Sequence, residues 1–150
     1  QSGKTQNIDT PISAWTSDWR TLAHNHEVRW PFVFVSAYEA GLQVFNMKDP
    51  VNPKTEGHYY TCECKHRAGF GGSQENGFQG TASVMQGAFG IDIRNHDGLI
   101  AISDMRTGLH IFKMDGFNRW RGEDHNVPDI SSVQDWDRGP KAAFKPKVAS

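Results

Sequence analysis

The chain has 150 residues with 16 basic and 17 acidic side chains, for a net charge of −1. That length suits one compact core, and the even charge balance leaves no electrostatic footprint for nucleic acid or an anionic membrane. The 15 glycines and 7 prolines fit a loop-rich β protein better than a helix bundle, while 5 tryptophans and 9 phenylalanines argue against disorder through most of the chain.

No apolar run approaches the roughly 20 residues that a membrane-spanning helix needs, and the opening "QSGKTQNIDT" has neither the basic nor the apolar part of a signal peptide. Beginning on Gln1, the sequence reads as a processed or trimmed chain. Within residues 1–23, "TPISAW" and the turn-forming residues after it follow the proline, strand and turn order of "NPKTEGHYYT" further on. They read as the closing strand of a preceding unit and a linker.

Residues 24–66 form the first repeat. In "PFVFVSAY" both alternating faces are apolar, the pattern of a strand buried on both sides. "EAG" supplies a turn, "LQVFNM" a second β-branched and aromatic strand, and "KDPVNPKTEG" a loop into an edge strand, "HYYT". Residues 67–86 are a glycine-rich loop without periodic signal. It lacks the G-x-x-x-x-G-K-[ST] and helix-opening G-x-G-x-x-G patterns that cradle phosphate.

Residues 87–114 restore the rhythm as three strands, Phe89 to Arg94, Leu99 to Ser103 and Leu109 to Met114. "NHDG" and "DMRTG" are the turns between them. Residues 115–150 are an irregular tail with one turn of helix expected near "PDISSVQDW".

"VFVSAYEAGLQVFNM" and "IAISDMRTGLHIFKM" match position for position. The match predicts two equivalent hairpins, with Gly41 and Gly108 in one turn position and Val44 and Ile111 in one buried position. On "GLQVFNMKDPVNPKTEGHY" and "ISDMRTGLHIFKM" the chain resembles the LVIVD-repeat proteins over about residues 11–114. The resemblance implies an all-β fold, a β-propeller of four-stranded blades around a channel, and an extracellular, cell-surface or periplasmic location. Propellers have typically about four to eight blades. This chain therefore reads as an incomplete propeller segment of about two blades, completed by other protein chains or by the missing remainder of the propeller.

His24 and His26, two positions apart, would share a face on an extended strand, as would Cys62, Cys64 and His66. In a propeller both groups fall at blade crossovers on one rim, and imidazoles with thiolates suit tetrahedral zinc or another transition metal. The spacing departs from C-x₂₋₄-C fingers, and "CECKH" is one residue short of the C-x-x-C-H haem motif. No G-x-S-x-G is present, and Ser103-Asp104 has a repeat counterpart at Ser36, which points to packing. Trp120 and Trp136, alone in a polar tail, are the expected partner-binding anchors. The first expectation is therefore a non-catalytic binding or structural subunit without a cofactor. Its rival is a metal-dependent enzyme or redox protein using the histidine and cysteine group.

Overall fold

The computed structural model describes residues 10–16, 21–63 and 86–127. They form two antiparallel sheets and almost no helix. The first sheet has four strands in chain order: β1 (Asn25–Arg29), β2 (Phe32–Ser36), β3 (Leu42–Asn46) and β4 (Lys54–Tyr59). The second has three, β5 (Ala88–Arg94), β6 (Leu99–Asp104) and β7 (Gly108–Phe112), and neither sheet closes on itself.

The repeat is visible in the register. Val33 pairs with Phe45 and Phe34 with Val44 in the first sheet, as Ile100 pairs with Phe112 and Ala101 with Ile111 in the second. Gly41 and Gly108 both have positive φ, at 68° and 88°. The equivalence also extends further than the sequence match. Glu27 pairs with Phe34 and Arg29 with Phe32, while Asp92 pairs with Ala101 and Arg94 with Leu99. Glu27-Val28-Arg29 and Asp92-Ile93-Arg94 therefore occupy the same places. The intervening turns differ in length: Trp30-Pro31, joined by a cis peptide, in the first sheet and Asn95 to Gly98 in the second.

The sheets stack head to tail. Phe34, Leu42 and Val44 on one face of the first sheet share a core with Ile93, Ile100 and Ile102 of the second. These last three are the counterparts of Val28, Val33 and Val35, so opposite faces of equivalent strands meet. Val33 and Val35 lie on the far face of the first sheet with Ala37 and Ala40. There Trp15 stacks on Phe45 at 4.5 Å, and its indole N–H donates to Thr55 Oγ1 at 3.1 Å. Backbone bonds between Tyr38 and Ala88, 2.8 and 2.9 Å, bind the first sheet's turn to the start of the second sheet.

Two expectations need correction. Ile111 is not buried like Val44: it is 52% exposed against 3%. Val44 is covered by the second sheet, whereas no further sheet covers the equivalent face of β7 among the described residues. The first part of the tail also folds back on the chain. Phe117 and Trp120 enter the inter-sheet core, and a 3₁₀ turn follows at Gly122–His125. The helical turn expected near residues 128–136 lies outside the described residues.

The "NHDG" turn carries an acid-sensitive contact. Arg94 Nε donates to Asp97 Oδ1 at 2.8 Å, and the Leu99 amide donates to the same oxygen at 3.3 Å. The Arg94 hydrogen bond holds the Asp97 carboxyl at about 2, despite partial burial pushing it up. A depressed folded-state pKa stabilises above the unfolded value, and that stability disappears as pH falls through the folded value. Asp97→Asn should therefore flatten the loss of thermal stability between about pH 4 and pH 2. Because the pair is roughly one-third exposed, the effect should stay within about 1 kcal/mol. Melting curves of both proteins across that window check it, and identical slopes would rule the contact out as a contributor.

Candidate functional site

The histidines expected to act together have different surroundings. His24 precedes β1 and bonds through its amide to Ser36 O at 2.8 Å. Its ring lies 4.4 Å from Phe89 and 5.4 Å from Tyr38, toward the second sheet. Its Nδ1 is buried without a hydrogen-bond partner among the described residues. His26, paired with Val35, lines a groove of about 100 Å³ on the far face of the first sheet, beside Trp15, Thr21 and Phe45. Two-residue spacing implies a shared face only inside a strand, and the strand begins after His24.

Cys62 is disulfide-bonded, so its sulfur is not a thiolate here. Cys64, His66 and Trp136 lie outside the described residues. Among the described residues no group of three or more His, Cys, Asp or Glu side chains is placed to hold a metal ion. Trp120, expected at a partner contact, is instead 4% exposed inside the chain's own core. Its indole N–H donates to Trp30 O at 3.0 Å, and its amide to Asn95 O at 2.9 Å.

The seam between the sheets is where polar chemistry gathers. Arg29 is fully buried. Its Nη1 donates to Glu27 Oε2 at 2.8 Å and Val28 O at 3.0 Å. Its Nε donates to Asn95 Oδ1 at 2.6 Å and its Nη2 to Ile93 O at 3.3 Å, both across the seam. The guanidinium carbon lies 5.5 Å from the Trp120 ring centroid. A planar five-donor fork can satisfy this many acceptors at once, which an ammonium cannot.

A second polar knot closes the seam after β4. The Thr61 hydroxyl donates to Asp104, whose Oδ1 accepts the amides of Arg106 at 2.7 Å and Thr107 at 2.9 Å. Thr107 Oγ1 donates in return to Thr61 O at 2.9 Å. Burial pushes the Asp104 carboxyl up, but the Thr61 hydroxyl and the two amides outweigh it and leave the group below the usual range. In both knots, the polar atoms are engaged in joining one sheet to the next.

The feature left open is a surface. Leu109 is 67% exposed and Ile111 52%, although their counterparts Leu42 and Val44 are 5% and 3% exposed. Among the described residues strand β7 pairs with β6 alone, whereas its counterpart β3 is flanked by β2 and β4. An apolar face beside an unpaired strand edge is the arrangement of an interaction site or an aggregation hazard. The sequence held a signal for this seam, "EVR" and "DIR" one strand before each matched hairpin. The unequal turns put the two tripeptides out of step. No family model, curated protein or solved structure matches the chain.

Proposed function

We propose that this chain is a non-catalytic segment of a β-propeller built from LVIVD-like repeats, serving as a binding or structural subunit of a larger exported assembly. The observation that carries the reading is the difference between the two repeat sheets. Among the described residues the second has three strands where its repeat partner has four, and it exposes Leu109 and Ile111 where the partner buries Leu42 and Val44. Head-to-tail stacking, in which opposite faces of equivalent strands meet, supports a repeat array, where nearest-neighbour contacts supply most of the stability. The Cys62 disulfide supports an oxidising compartment.

The native mass of the chain as isolated from its source tests the reading. A complex held by an interface above roughly 1,000 Å² should persist through sedimentation. A monodisperse monomer that unfolds cooperatively without a partner would overturn it. Stoichiometric zinc or iron in the purified protein would instead favour the rival metal-dependent reading.

A further inference from the structure

We infer that the aromatic rings of Tyr59, His110 and Phe112 form a binding site for a neutral oligosaccharide, one sugar ring stacking on Tyr59 with its hydroxyls at the phenol and imidazole. This goes beyond the proposed function, because the three rings belong to this chain whatever completes the array.

Tyr59 ends β4, while His110 and Phe112 alternate along β7, so the three side chains meet across the seam between the sheets. The Tyr59 ring lies 4.8 Å from Phe112 and 6.5 Å from His110, tilted by 53° and 50°. The His110 and Phe112 rings are parallel to within 3° at 6.0 Å. Two aligned rings with a third tilted across them make a shallow V. The short Tyr59–Phe112 separation admits nothing between those rings, so a ligand meets their outward faces and not a cage.

The platform is fixed from below. Phe112 packs against the inter-sheet core. The single hydroxyl proton of Thr107 goes to Thr61 O at 2.9 Å, so its oxygen accepts from His110 Nε2 at 2.7 Å. That bond orients the imidazole and, in the neutral ring, leaves Nδ1 as an acceptor. Tyr59 is nonetheless 51% exposed, and among the described residues no hydrogen bond engages its hydroxyl. A ring already held in place loses little further freedom when a ligand stacks on it.

The groups tied to the rings select the ligand. Thr107 holds His110, and Thr61 and Asp104 hold Thr107, so the surroundings are polar without a free charge. Asp104 engages both oxygens, one on the Thr61 hydroxyl and one on the amides of Arg106 and Thr107. The Arg106 guanidinium donates to Gln86 Oε1 at 2.9 Å. An anion finds no unengaged cation in this set, and a cation finds no unengaged carboxylate. What fits is a neutral molecule with a flat C–H face and a hydroxyl edge, the two-sided character of a pyranose. His58 and Tyr60, with rings 5.5 Å apart and Tyr60 57% exposed, extend the aromatic surface around the end of β4. That extension suits an oligosaccharide better than a single sugar.

Titration of the full chain with four neutral oligosaccharides, followed by NMR of the aromatic side chains, tests this. The probes are the hexamers of α- and β-linked glucose, of mannose and of N-acetylglucosamine, with hexagalacturonate and decaproline as controls. At least one neutral hexamer should bind with a Kd on the order of 1 mM or tighter and shift the ring signals of Tyr59 and Phe112. Tyr59→Ala should weaken that binding about tenfold, and Tyr59→Phe, which keeps the stacking face, should retain most of it. Val51→Ala, on the loop between β3 and β4 and 60% exposed, should leave it unchanged.

No binding of any neutral hexamer up to about 10 mM, binding that leaves the ring signals in place, or undiminished binding by Tyr59→Ala overturns the inference. So does a preference for hexagalacturonate or decaproline, which would make the rings an anion site or a proline-peptide site. If Tyr59→Ala lowers the unfolding midpoint, the ring signals of the unaltered chain still decide. A monomeric native chain that binds the sugar would remove the proposed function and leave this site standing. A native complex whose rings ignore all four sugars would do the reverse.

Discussion

Arg29→Ala is expected to destabilise the chain by about 3–5 kcal/mol, the range for breaking a buried, hydrogen-bonded ion pair from one side. The guanidinium is fully buried and serves both sheets at once. Its removal leaves the Glu27 carboxylate, 16% exposed, without its cation. Asn95 Oδ1 and Ile93 O lose a donor inside the seam, and the Trp120 ring loses the group packed over it.

Arg29→Lys should recover only part of the loss, because an ammonium cannot span acceptors on both sheets in a fixed fork. Removing the stranded charge as well, in Arg29→Met with Glu27→Gln, should be milder than Arg29→Ala alone. Urea unfolding followed by tryptophan fluorescence measures all three. An Arg29→Ala midpoint shift worth less than about 1 kcal/mol would show that the seam is held by its apolar core and that the polar bridge is incidental.

What could be read in the sequence was what repeats locally. Alternation of apolar residues placed β2, β3, β6 and β7, and the matched "VFVSAYEAGLQVF" and "IAISDMRTGLHIF" marked two hairpins as equivalent, which the strand pairing reproduces. Burial was not readable in the same way, since it belongs to neighbours and not to the strand. Val44 and Ile111 occupy one register position, yet only Val44 has a sheet packed over it.

Trp120 shows the same limit from the other side. Its surroundings in sequence are polar, and its burial comes from Arg29 and Trp30, about 90 residues away along the chain. His24 and His26 diverge because the extended backbone that would align them starts one residue too late. For the site as a whole, the pairs "EVR" and "DIR" lay in view. Comparing them requires allowing a two-residue turn to stand opposite a four-residue one, and that equivalence is settled by strand pairing in three dimensions.

Gly41→Ala is expected to cost about 2–5 kcal/mol and Gly108→Ala only about 1–2 kcal/mol, although the two glycines hold one turn position. Both have positive φ, so a side chain at either meets the left-handed penalty. Only at Gly41 is there a second obstacle. A Cβ there would sit 2.1 Å from Tyr59 O and 2.8 Å from Thr61 N, backbone atoms that cannot swing aside, whereas a Cβ on Gly108 meets nothing within 4 Å. Those obstructing atoms belong to the end of β4 and the residues after it, a part of the first sheet that has no counterpart in the second among the described residues.

The difference between the two substitutions therefore reads out whether a fourth strand covers each turn. In the isolated chain, thermal unfolding should separate them by at least about 1 kcal/mol. Equal costs would mean that the Gly108 turn is covered as well, and the second sheet complete. In the assembled state a docked fourth strand should close over Gly108 as β4 closes over Gly41. Gly108→Ala should then cost the free chain only the left-handed penalty of about 1–2 kcal/mol while also weakening its association.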